Sequence, residues 1–284
     1  INNTGGAGGW KPSNNLTLAY LENIIFTVDQ INTNIVLSGT FKNCQATNSV
    51  NNGGGFVGAA GTASGTFANC TGSNSGTLGG GFVGLNGNAS GIFTDCVGIN
   101  TGSSGSGFSS GTASGTFTNC TGSNSNTFGG GFAQSSTLGI FINCIGTNSG
   151  SAGGGFVGSN GTSSGTFTDC TGTNSGSAGG GFFGRTVIAS GTFNNCTGTN
   201  SGSAGGGFFG SNTIVTSTLL NCKGTNTVGN GSGLGVLGTG NGAHLLNCRF
   251  SDIVLPAFSL DQIASKPYYV NCFDGSGNLV NGSI

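Results

Sequence analysis

The sequence predicts an all-β, single-domain parallel β-solenoid with capped ends, built from about ten coils of 24–26 residues. Three observations predict it. Cysteines recur at Cys44, Cys70, Cys96, Cys120, Cys144, Cys170, Cys196, Cys222, Cys248 and Cys272, with spacings of 26, 26, 24, 24, 26, 26, 26, 26 and 24 residues. A fixed period in this range marks a stacked-repeat architecture. Phenylalanine and asparagine hold fixed offsets from each cysteine. Finally, glycine triplets and Thr/Ser/Phe alternation oppose helix and favour short strands joined by tight turns.

Composition narrows the class. Only 5% of residues are charged and the net charge is −1, so neither nucleic acid nor an anionic membrane surface is expected as a partner. Glycine makes up 62 of 284 residues without a G-X-Y period, which excludes collagen. The 21 phenylalanines at fixed positions argue against disorder. No apolar run reaches the length of a transmembrane helix. Ten cysteines with almost no lysine or glutamate suit a secreted, extracellular or cell-surface setting. A chain that begins at Ile1 fits a mature secreted form or a fragment.

Residues 1–36 precede the repeat and read as an N-terminal cap or assembly segment. Their apolar stretch, L-T-L-A-Y-L-E-N-I-I-F-T-V, fits a strand or a short amphipathic helix equally. Residues 37–252 hold the repeat, whose columns are counted here from each cysteine. At −3 stand Phe41, Phe67, Phe93, Phe117, Phe141, Phe167 and Phe193, then Leu219, Leu245 and Tyr269. At +12 stand Phe56, Phe82, Phe108, Phe132, Phe156, Phe182 and Phe208, then Leu234 and Leu260. At +4 stand Asn48, Asn74, Asn100, Asn124, Asn148, Asn174, Asn200 and Asn226, then Asp252. Position −1 is always Asn or Asp. Coils of three strands rising ~4.8 Å each would turn these columns into axial ladders of stacked rings and paired amides. In F-x-[ND]-C, strict alternation would put Phe and Cys on opposite faces. A bend at the intervening Asn lets both point inward. The two-residue differences in coil length fall between +12 and the next −3, which marks that segment as the variable loop. Residues 253–284 read as a last coil and C-terminal cap.

The columns resemble a known family. F-T-N-C and F-T-D-C stand where polymorphic outer-membrane protein repeats carry F-x-x-N, and G-G-G-F stands where they carry G-G-A-[ILV]. The resemblance covers about residues 37–250. It implies a parallel β-helix of a secreted adhesin type.

Candidate chemistry is sparse. The cysteine column reads either as stacked buried thiols or as disulfides between adjacent coils. Metal binding is not expected, since there is no C-x-x-C and only one histidine, His244. No catalytic or cofactor-binding residue is expected. A polysaccharide-processing site needs two carboxylates close together, and Asp95 and Asp169, which share a column, are three coils apart. Sequons occur at Asn69, Asn119 and Asn195 in the −1 column and at Asn88, Asn160 and Asn230 in loops. The +1 and +3 columns offer a candidate ice-binding face: Thr71, Thr121, Thr171, Thr173, Thr197 and Thr199. A second threonine set lies at −4 and −2. The expected function is a non-enzymatic extracellular structural protein, a filament subunit or surface adhesin that assembles head to tail with itself. Cell-surface or carbohydrate ligands are further candidate partners. Ice binding is the alternative, and carbohydrate binding or processing the third.

Overall fold

The structure is a computed structural model that describes residues 15–28, 35–49, 51–203, 205–210, 213–227, 244–251, 268–274 and 277–282. The described residues form twenty-nine strands in one sheet, numbered β1 to β29 in chain order. They wind into a parallel β-solenoid of about eight full turns, fewer than the ten counted from cysteines. Leu234, Asp252 and Leu260, expected to prolong the +12 and +4 columns, lie outside the described residues.

One coil shows how sequence dictates shape. In β11 (Thr112–Ala113), β12 (Thr116–Thr118) and β13 (Thr121–Asn124), side chains alternate outward and inward. Ala113 and Phe117 point in, and Thr112, Thr116 and Thr118 are half-exposed. The bend between β12 and β13 falls on Asn119, whose φ is 53°. Every −1 residue from Asn43 to Asn271 adopts this left-handed conformation, with φ between 49° and 55°. Asn and Asp tolerate it best among residues with a Cβ. The bend shifts the alternation by one, so Phe117 and Cys120 are both fully buried. The variable loop also has a simple form. Where it is described, the turn of a 26-residue coil carries two extra residues, with left-handed Ala60, Asn86, Asn160 or Thr186.

The core is two parallel stacks of rings. Along the −3 column neighbouring ring centroids lie 4.7–5.0 Å apart, and along the +12 column 4.6–4.9 Å. Between columns the rings meet edge to face, as in Phe117–Phe132 at 5.6 Å and 81°. Opposite the +12 column, position +2 is glycine from Gly72 to Gly198, because no room exists there for more. A Cβ on Gly98 would stand 2.4 Å from the Gly107 carbonyl oxygen and 2.7 Å from the Phe108 ring.

The register extends ahead of the first cysteine. Strand β1 (Leu16–Glu22) pairs in parallel with β3 (Val36–Lys42), placing Leu21 beside Phe41. Strand β2 (Ile25–Val28) pairs with β4 (Gln45–Asn48). Between β1 and β2, Asn23 takes the left-handed bend and Ile24 takes the cysteine position. The choice between strand and helix that the sequence left open is therefore resolved as strand. Phe26 and Phe250 occupy the +2 position on either side of a run of coils that carry alanine or glycine there, and both are buried. Each meets the end of the +12 stack, Phe26 at Phe56 and Phe250 at Phe208.

Replacing Phe182 by Ala in mid-stack should cost about 3–5 kcal/mol. Chemical denaturation checks this against Ile140→Ala on the exposed surface, where the expected change is within about 0.5 kcal/mol.

Candidate functional surfaces

The +4 asparagines lie at the inner end of the +1 to +4 strands and are buried. Each Nδ2 donates to the Oδ1 of the next coil, in an unbroken chain from Asn48 to Asn226 at 2.9–3.3 Å. In Asn174 the same amide also closes its own turn. Its Oδ1 accepts from the Gly176 N–H at 3.2 Å, and its Nδ2 donates to the Gly176 carbonyl at 3.0 Å. A second amide ladder runs outside, through the −1 residues, with the opposite sense. Asn143 donates back to Asn119 at 3.0 Å, and Asn119 back to Asp95 at 3.0 Å. Asp169 likewise accepts from Asn195 at 2.6 Å. The two carboxylates thus serve as ladder acceptors in separate coils. They do not form a pair.

All ten cysteines are free thiols and buried. No disulfide joins adjacent coils. Each thiol is within hydrogen-bonding distance of two backbone carbonyls, as in Cys120 with Thr118 and with Phe93 of the preceding coil, both at 3.3 Å. The Thr118 carbonyl also accepts the Asp95 N–H at 3.0 Å, so the thiol adds a second, weaker donor at the bend. The thiol of the following coil, and then burial, push Cys96 and Cys120 up to about 12. Among the described residues no group of His, Cys, Asp and Glu is arranged to hold a metal ion. His244 is exposed on the −4 column, beside Thr218 and Tyr268.

Of the loop sequons, Asn160 is exposed at a turn tip, Asn88 is half-buried with its Oδ1 accepting from Ser114, and Asn230 lies outside the described residues. In the −1 column, Asn119 and Asn195 have their amides engaged in the outer ladder.

Two flat faces remain. The first carries the +1 and +3 ranks. Thr171 pairs with Thr197, and Thr173 with Thr199, side by side and half-exposed. Thr121 lies between Val97 and Ile145, and Thr71 between Gln45 and Val97, so apolar residues break the hydroxyl rank. Between the +3 rank and the exposed serines and threonines at +5 runs a shallow trough floored by the buried asparagines.

The second face is broader. Outward ranks at −8 and −6 continue the −4 and −2 ranks across one surface, as in Thr112, Ser114, Thr116 and Thr118. The −8 and −6 ranks were not anticipated, because that segment counted as variable loop. The signal was present in the strict alternation of Thr62-Ala63-Ser64-Gly65-Thr66-Phe67. Ile92, Leu138, Ile140, Ile142, Ile188 and Ile214 stand exposed among its hydroxyls.

No family model, curated protein or solved structure matches the chain. The fold identifies a β-helix repeat protein. No helix among the described residues is long and apolar enough to cross a membrane.

Two outcomes check these assignments. Asn174→Leu should cost on the order of 3 kcal/mol by orphaning buried ladder groups, while Ser177→Ala in the exposed turn should change little in the same melting series. The thiols give a pH signature. A thiol with a raised folded pKa contributes stability that is complete below its unfolded value of about 8.5 and is lost as pH rises through about 12. The melting temperature should therefore fall between pH 7 and pH 10, and fall less in a Cys96→Val/Cys120→Val variant.

Proposed function

We propose that the protein is a non-enzymatic extracellular rod, a filament subunit or the stalk of a surface adhesin of the polymorphic outer-membrane protein type. It joins others of its kind end to end. The observation that supports this best is the front edge. Strand β1 (Leu16–Glu22) lies in solenoid register against β3 on one side, and among the described residues no strand pairs with its other side. An unpaired parallel edge is a template for another strand. Head-to-tail contact between identical rods does not close on itself and gives an open filament. The interior supports a passive role, since its polar groups are spent on ladders and its carboxylates are dispersed. Electron microscopy of the purified chain should show filaments of the rod's own width. Full-length chain that stays monomeric at high concentration by light scattering would overturn the reading.

Ice binding is a second reading, favoured by the in-register hydroxyl ranks of the broad face. Rows of threonine, serine and isoleucine on a flat, nearly uncharged sheet could order water at their own spacing. If so, the protein inhibits ice recrystallisation, and Thr116→Lys with Thr166→Lys removes the effect without lowering the melting temperature.

A further inference from the structure

The two ends of the rod are finished differently. At the front, β1 leaves its outer edge unpaired among the described residues. At the back, β28 (Tyr268–Phe273) continues the parallel stack on β26 (His244–Leu246), with Tyr269 beside Leu245. Its other side is covered by β29 (Leu279–Gly282), which runs antiparallel. All other paired strands of the sheet are parallel.

The covering strand is held by few pairs. It meets β28 at Tyr269–Gly282, Cys272–Val280 and Phe273–Leu279, with a register shift like the one between Leu18 and Leu21 in β1. Phe273 and Leu279 stay 40% and 55% exposed. By contrast, the first coil holds the second through five pairs along β1 and four along β2. What keeps β29 in place is its turn. The Asp274 carboxylate accepts from the Asn278 N–H at 2.8 Å and from the Asn278 Nδ2 at 2.9 Å, and Gly277 supplies a φ of 81°.

The column positions of the two ends match. Leu21 stands at −3, beside Phe41. Ile24 stands in the cysteine column, its carbonyl accepting from Gln45 N–H at 2.9 Å, as that of Cys44 accepts from Thr71 at 2.9 Å. At the back those columns end in Tyr269 and Cys272, the residues that face Gly282 and Val280. A second copy's Leu21 and Ile24 would continue both columns in the parallel register used throughout the rod, but only where β29 now lies.

We propose that β29 is a replaceable cap: it holds the edge of β28 that the β1 strand of a second copy takes when rods join. This rests on the end-to-end reading above and adds a control to it. A tethered strand competes with an effective concentration of about millimolar. The intact hairpin therefore keeps dilute rods apart, and loosening it lets them join.

The test compares the onset of assembly, by light scattering and electron microscopy, for the full chain, for Asp274→Ala, and for a chain ending at residue 276. Native protection of all ten thiols serves as the check that the rod is intact. Both changes should lower the onset concentration at least tenfold, and an excess of a peptide of residues 277–284 should restore it. If the shortened chain loses thiol protection, Asp274→Ala alone carries the comparison. An unchanged onset, with the full chain still forming filaments, overturns the cap and leaves end-to-end joining intact. Weaker assembly of the variants also overturns it, because β29 is then the strand that bridges two rods. Absence of filaments from every form overturns both.

Discussion

The rod depends on a coincidence of two lengths. Parallel strands of successive coils sit ~4.8 Å apart, and phenylalanine rings in offset stacks accept the same centroid separation. Carbon surfaces touch at about 3.5–4.0 Å, so parallel rings with centroids 4.8 Å apart must be displaced sideways, the arrangement their quadrupoles prefer. The two stacks then meet edge to face, which is the other preferred geometry. The backbone ladder and the aromatic core thus impose one repeat, and neither strains the other. Leucine can hold the −3 column at Leu219 and Leu245, but it supplies no ring to continue the stack.

Everything else in the coil serves that repeat. The left-handed Asn or Asp at −1 turns Phe and Cys to the same side. The thiol fills the inner corner beside the bend, and the glycine at +2 lets the opposite wall approach the +12 ring. The inner asparagine ladder closes the turn after each strand. Each of these residues answers to its equivalents one coil away, so stability is a sum of neighbour terms along a line. The surface is released from those demands, which is why hydroxyls, isoleucines and the few charges collect there.

Much of this was legible in the sequence, because a column in a repeat is a contact in the fold. The Phe and Asn columns, the inward Cys and the bend at Asn all follow from offsets. Sequence spacing alone left both strand and helix open for Leu16–Val28, since Leu21 and Ile24 replace the marker Phe and Cys there. It missed Phe26 and Phe250, because nothing in the run of small +2 residues predicts the ring that borders it. It also missed the antiparallel β29, since Leu279–Gly282 carries no repeat signal and its place is set by the Asp274 turn. The −8 and −6 ranks were hidden by length variation in the turn just before them.

The coil from Cys170 and the coil from Cys196 open with the same fifteen residues, C-T-G-T-N-S-G-S-A-G-G-G-F-F-G. Because a coil recognises only its neighbours, and presents them with the surface it receives, a duplicated coil inserts without disturbing any contact but one. The gene can therefore change the reach of the protein in steps of one coil, about 4.8 Å each, by copying or losing a short stretch of DNA. Length becomes a trait that drifts or is selected independently of the fold. The two ends, which occur once and have no duplicate, are the parts such copying cannot supply.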